Sequence, residues 1–230
     1  MFFQLFQFIF VKKLEIMSKY PRTYHLYFSP GTTSDDRIVD SVETLLNKEL
    51  VITEKLDGSN TAMTDQGVFG RSHVVFTKNP WDREVRQLHK MKVENMLGEG
   101  VFLFGENMEG IHSIEYSNLE SYFYIFGVRD NEIWIPWEQV EEYSYLLDIP
   151  TVPVLFKGVV NSAKELQEIV EDLVSKPSEL GGKREGIVVR TAGMFHNDDF
   201  ADNVMKWVRK DHVTTTNHWT RNWKKSKIIR

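Results

Sequence analysis

Lys55 has the most specific chemical setting in this sequence. It lies in Glu54-Lys55-Leu56-Asp57-Gly58-Ser59-Asn60, a primary amine between two acids, followed by a glycine turn. Such a lysine is ordinarily a solvated ion pair. Stripped of its proton it becomes a nucleophile able to attack an α-phosphorus, and this needs a pKa lowered by burial or by neighbouring cations. Lys206 and Arg190 are the candidates for that positive field. An in-line displacement that expels pyrophosphate also needs its developing charge neutralised by lysine, arginine and a divalent cation. Glu106 and Glu185 are the carboxylates suited to that metal or to a ribose. Hard oxygen ligands favour magnesium, or manganese in its place, with one or two protein carboxylates sufficient.

The elements that must position these groups follow from periodicity. Ile38, Val39, Val42, Leu45 and Leu46 recur at helical spacing, so a helix is predicted from Asp35 to Leu50 with Ser34 or Asp35 as its cap. ELVITEKLDG reads as a strand running into a turn, with Lys55 at the junction. Two apolar stretches around Asp65-Gln66-Gly67 predict a hairpin that returns Arg71 towards Lys55. A helix is predicted from Trp81 to Leu97, then strands in GVFLFGENM and YFYIFGVRDNEIWIPW, the latter a hairpin at Asp130-Asn131. Helices are predicted over 138–147 and 163–173, and strands in REGIVVRTAG, after a Gly181-Gly182 turn, and NVMKWVRKDHV. Without regular βαβ alternation, the order favours an α+β fold of mainly antiparallel sheets flanked by helices.

Beyond Lys55 come Gly70-Arg71-Ser72, Phe104-Gly105-Glu106, the run Tyr122 to Gly127, Glu185-Gly186-Ile187-Val188-Val189-Arg190 and Met205-Lys206-Trp207-Val208-Arg209-Lys210. In that order they resemble the motifs of the covalent nucleotidyltransferases, the ATP- and NAD-dependent polynucleotide ligases and mRNA capping enzymes. Glu54, Lys55, Gly58 and Asn60 match Glu-Lys-x-x-Gly-x-Asn of the ATP-dependent RNA ligases; DNA ligases and capping enzymes usually have arginine where Asn60 stands. Each motif is weak alone, and their ordered set, from about Tyr24 to Trp219, is strong. The resemblance implies an ATP-grasp-like nucleotidyltransferase domain that carries AMP from ATP on Lys55 and activates an RNA 5′-phosphate for attack by a 3′-hydroxyl. It also implies that Glu106 and Arg71 hold the ribose and phosphate side, that Asn60 belongs to the nucleotide site, and that Glu54 reads the adenine edge. Glu185 would bind the catalytic metal and Lys206 the α-phosphate. Phe126 is the expected adenine stacker, with Phe123 the alternative; alternation puts Tyr122, Tyr124 and Phe126 on one face. One departure is Val208, where ligases often carry a second lysine; Arg209 would point away from Lys206 on a regular strand.

The 230 residues, 41% of them hydrophobic, suffice for one sizeable core. A formal charge of −5 means that nucleic-acid binding must come from a local basic patch. Zero cysteines exclude a disulfide scaffold and thiolate metal sites and make the cytoplasm the default compartment. The seven histidines show no close helical pair of the kind that binds zinc, and His112 and His196 read as structural or surface residues, with a place near the nucleotide or the RNA end open to His112, which closely follows the Glu106 motif. The opening MFFQLFQFIFV is too short to span a bilayer and lacks a basic leader, so residues 1–16 are expected to be an extension before Met17 and no membrane partner is expected. The adenylyltransferase domain is expected over 17–211. The basic, aromatic tail over 212–230 can stack on bases and contact phosphates, or be a solvated end, and is too short for a C-terminal OB-fold. So compact a chain raises the expectation of a separate substrate-docking protein. DNA ligation, guanylyl transfer and a non-catalytic nucleotide-binding protein of the same fold are the competing readings.

Overall fold

Two mostly antiparallel sheets, joined at the Lys55 turn, organise the protein. A computed structural model describes residues 19–70, 75–210 and 219–229; Arg71 and residues 1–18 lie outside them. The first sheet holds β1 (Tyr24–His25), β11 (Val204–Val208), β9 (Gly186–Thr191), β2 (Glu49–Lys55) and β8 (Val154–Val159), in that order. Only β1 and β11 pair in parallel. The second sheet, antiparallel throughout, has the order β10 (Phe195–His196), β7 (Ile133–Trp134), β6 (Phe123–Asp130), β5 (Val101–Asn107), β3 (Ser59–Met63), β4 (Val68–Gly70). Residues 56–58 carry the chain from one sheet to the other, so the motif that contains Lys55 is also the joint of the fold.

The helices are α1 (Arg83–Lys92), α2 (Trp137–Leu147), α3 (Ala163–Ser175) and the single turn α4 (Phe200–Asn203). In α3 the Ser162 hydroxyl accepts the Glu165 N–H while the Glu165 carboxylate accepts the Asn161 N–H, which satisfies donors the first turn leaves open. Leu166, Val170 and Leu173 recur on one face and are buried against Leu50, Ile52, Ile187 and Val189 of the first sheet. A second cluster gathers Val85, Val140, Leu147, Val101 and Leu103 of β5, and Phe123, Tyr124, Ile125 and Val128 of β6. A third, with Phe104, Trp134, Phe195, Phe200 and Val204, draws on both sheets. Tyr20 enters it edge-on, its ring 5.1 Å from both Phe126 and Phe200.

The helix predicted from Asp35 to Leu50 does not form. Only Glu43–Leu45 takes a 3-10 turn, and β2 begins at Glu49. The backbone there bonds sideways: His25 N–H donates to the Arg37 carbonyl and Val39 N–H to the His25 carbonyl. The Asp36 carboxylate accepts from the N–H and hydroxyl of Thr33, a local bond that competes with helix. The predicted helix from Trp81 to Leu97 is shorter, ending at Lys92. The hairpins at Asp65-Gln66-Gly67 and Asp130-Asn131 form as expected.

Candidate active site

Register brings the reactive groups together. Lys55 ends β2 and pairs with Gly186, the first residue of β9, so Glu185 reaches it from just before that strand. Lys55 Nζ donates to Glu185 Oε2 at 2.7 Å, with Lys55 partly exposed and Glu185 buried. On the second sheet Asn60 pairs with Glu106. Gly58 makes this approach possible: a Cβ there would lie 2.5 Å from the Asn107 carbonyl oxygen and 2.9 Å from Glu106 Cγ. The Asp57 carboxylate accepts the N–H groups of Ser113 and Ile114 at 2.7 and 2.8 Å, and its own N–H donates to the Tyr116 hydroxyl. Asp57 therefore braces the turn against the following loop.

A cavity of about 300 Å³ opens beside Lys55, within the range of small-ligand sites. Of the expected nucleotide residues, Glu54, Lys55, Asn60, Glu106, Phe126 and Lys206 line it. Glu185 contacts Lys55 from behind rather than forming the wall, and Arg71 is outside the described residues. Phe126 reaches the wall through an irregularity: Gly105 pairs with Ile125 and Phe104 with Gly127, leaving Phe126 as the extra residue of a bulge. Bulges re-aim side chains in this way, while Tyr124, expected on the same face, is buried in the second cluster with its hydroxyl accepting from the N–H groups of Glu120 and Ser121. Val188, Val152, Leu56, Trp134 and Val204 are among the other apolar residues of the lining.

The electrostatics correct one expectation. Burial pushes the Lys55 amine down, but Glu185, Glu106 and Asp57 outweigh it and raise its pKa. Arg190 lines the cavity, yet its charge does not offset the carboxylates around Lys55. Its guanidinium lies over the rings of Trp137 and Phe195 and donates to the carbonyls of Ile135 and Thr191; burial lowers its pKa to about 10. Lys206 Nζ lies 3.5 Å from Asp36 Oδ1. Burial pushes the Asp36 carboxyl up, yet the Thr33 bonds and the charges of Lys206 and His25 hold it at about 2. Glu106 rises to about 8, through burial first and then Glu185 and Asp57 against the pull of Lys55.

Two buried acceptors among the lining residues lack a protein partner, Glu54 Oε1 and Asn60 Oδ1. The other Glu54 oxygen accepts the Glu179 N–H at 3.0 Å and faces Arg184 at 3.6 Å. Among the described residues no group of three or more histidines and acids could hold a metal; a magnesium-type ion needs fewer, and Glu106 and Glu185 flank the amine. Arg209 is not in the lining; its N–H donates to the Glu185 carbonyl just past the end of β11. Sequence reasoning did not include Tyr20, Arg22, Thr23 and Asp36, which form one side of the cavity from the segment before β2.

Comparison with known proteins agrees with this arrangement. A family model described as RNA ligase matches residues 48–208. No curated protein matches the chain. Among solved structures, a Naegleria gruberi RNA ligase mutant with ATP and Mn shares 20% identity at a TM-score of 0.53, over 73% of this chain and 52% of that one. An archaeal ATP-dependent RNA ligase shares 16% identity at 0.58, over 83% and 48%. A further Naegleria gruberi RNA ligase mutant, with AMP and Mn, shares 19% at 0.56, over 84% and 56%. The chain thus spans about half the length of the solved structures it resembles, and shares their α+β nucleotidyltransferase fold. With the family model matching residues 48–208, most of its length, the chain belongs to the RNA ligase family.

Proposed function

We propose that the protein is an ATP-dependent RNA ligase that carries AMP on Lys55 and joins 5′-phosphate to 3′-hydroxyl ends. One observation carries this reading. Lys55 stands at the wall of a cavity that also presents Phe126, Val188, Lys206 and the unpartnered acceptors of Glu54 and Asn60. A ring and a branched side chain suit a nucleobase face, two orphan acceptors suit amino and hydroxyl donors, and a lysine suits a phosphate.

In the proposed sequence, Lys55 Nζ attacks the α-phosphorus of ATP; a P–N bond forms, the P–O bond to pyrophosphate breaks, and the amine loses its proton. A 5′-phosphate oxygen of RNA then attacks that phosphorus, and the P–N bond breaks. Finally the 3′-hydroxyl attacks the activated phosphate and AMP leaves. Lys206 holds the α-phosphate, Glu54 and Asn60 orient the nucleoside, and Glu106 faces the ribose and metal side. Glu185 holds Lys55 in position and accepts its hydrogen bond. Magnesium or manganese held by Glu185 and Glu106 would offset phosphate charge and weaken the negative field that keeps Lys55 protonated. Arg71 is assigned to the phosphate side on its motif alone.

The test is incubation with magnesium and α-labelled ATP or GTP, after pyrophosphate treatment to strip any bound AMP, then denaturation. Acid-labile label is expected from ATP alone, and none on Lys55→Ala. Label from GTP alone would favour guanylyl transfer, and label from neither would refute the proposal. No helix among the described residues is long and apolar enough to cross a membrane; a cytoplasmic setting rests on the cysteine-free sequence. The need for a separate docking protein is removed if the isolated chain seals nicked RNA at low concentration.

A further inference from the structure

This acidic chain carries one face of opposite character. Residues 219–229 contribute Arg221, Lys224, Lys225 and Lys227 and no acid, against a formal charge of −5 for the whole. The segment is docked. Gly110 bridges to Lys225 and Leu119 to Ile228; Ile111 N–H donates to the Lys224 carbonyl and Ser226 N–H to the Glu109 carbonyl, both at 2.9 Å. Lys225 Nζ donates to Glu84 Oε1 at 2.7 Å and lies over the Tyr122 ring. With its backbone fixed in this way, the segment leaves Arg221, Lys224 and Lys227 exposed.

A series of contacts leads from this face to the reactive amine. Ser59, which closes the Lys55 turn, has its hydroxyl 3.2 Å from His112 Nε2. The His112 ring stacks on Trp219, centroids 3.9 Å apart and planes inclined by 23°. Trp219 meets Trp81 edge-on at 5.3 Å, and Trp223 meets the same Trp81 indole edge-on at 6.3 Å. A row of rings beside a row of cations, reaching the Lys55 turn through Ser59, is complementary to a single strand of nucleic acid, whose phosphates take the charges and whose bases take the flat faces. An acidic protein would use the cations but not the rings.

We infer that residues 219–229, with His112 and Trp81, form the track on which an RNA strand lies as its 5′-phosphate end is delivered to Lys55. The inference rests on the ligase reading for the kind of strand and the end presented, and on the contacts above for the surface. It also gives His112 a place beside the RNA path, an alternative the sequence leaves open.

The test replaces Arg221→Ala, Lys224→Ala and Lys227→Ala together in the full chain. Binding of a labelled 5′-phosphorylated RNA oligonucleotide is titrated by anisotropy between 50 and 200 mM salt, and AMP labelling is measured on the same samples. Affinity is expected to fall about 30- to 100-fold at 0.1 M salt and the slope of log K against log salt to fall by about 2, three single-strand phosphate contacts at about 0.7 each. AMP labelling is expected to persist. The charge-keeping variant Arg221→Lys, Lys224→Arg, Lys227→Arg should bind like the parent. Unchanged affinity and slope in the alanine variant would overturn the track. So would loss of both binding and labelling that the charge-keeping variant fails to restore, or preference for an acidic peptide over RNA. A parent chain that takes label but does not bind RNA would reject the track alone. One that binds RNA through these residues but takes no label would keep the track and reject the ligase reading.

Discussion

Glu106 gives the sharpest quantitative test of the site. It faces Asn60 across β5 and β3, and its carboxyl is pushed from 4.5 to about 8 by burial first, then by Glu185 and Asp57, against the pull of Lys55. Between those two values the folded chain keeps a proton that the unfolded chain releases. Stability therefore falls as pH rises through that window, and the whole contribution is lost above about pH 8. At 1.36 kcal/mol per unit, the shift corresponds to at most about 5 kcal/mol. Glu106 borders an open cavity, and screening by water reduces this to about 1–3 kcal/mol. Glu106→Gln keeps the shape and removes the titration. Its Tm should equal that of the parent near pH 4.5 and exceed it by about 2–12 °C at pH 8.5, using roughly 2–4 °C per kcal/mol for a chain of this size. The same variant should take up AMP at least about tenfold more slowly, because stability and activity oppose one another at a functional site. Thermal unfolding without nucleotide across pH 4.5–8.5 provides the comparison. A Tm difference that does not vary with pH, or a less stable variant at pH 8.5, would refute the reasoning.

Two more substitutions probe the supports of the site. Arg184 is buried, 3.6 Å from Glu54 and 3.2 Å from Glu179; Arg184→Met should cost about 3–5 kcal/mol in urea unfolding because it strands a buried carboxylate. Adding Glu54→Gln should recover most of that loss, and a single-variant cost near zero would show that the pair is not a support. Gly58→Ala places a methyl against the Asn107 carbonyl oxygen and should slow AMP labelling by about tenfold to a hundredfold by displacing the turn; an unchanged rate would show that the turn tolerates the shift.

The parts of the site legible in the sequence are those encoded locally. Lys55 at a strand-to-turn junction, the hairpin at Asp65-Gln66-Gly67 and the buried strand of Ile187 to Arg190 follow from short-range pattern, and their register then fixes Glu185 and Glu106 beside the amine. Features that depend on distant partners were not legible. Ile38 to Leu46 have helical spacing, but the backbone at Arg37 to Val39 pairs with His25, and nothing local announces that pairing. The extra residue at Phe126 is a mismatch between two strands, invisible in either alone. Arg190 does line the cavity, but it is held over aromatic rings brought from α2 and β10 and does not bring the Lys55 pKa down. The expected depression of the Lys55 pKa failed for a related reason: proximity of three carboxylates is a property of the assembled sheets.

The order of strands in the first sheet also bears on when the protein becomes competent during its synthesis. β11 lies between β1 and β9, and residues far apart in the chain meet across it: Gly31 N–H donates to the Val208 carbonyl and Lys206 faces Asp36. Contacts of such separation form late, since the intervening loop must close first. A nascent chain that has exposed Lys55 but not residues 204–208 has neither the inserted strand nor Lys206. On the proposed ligase reading, nucleotide binding would wait until nearly all of the described domain has emerged, a form of timing that follows from topology alone.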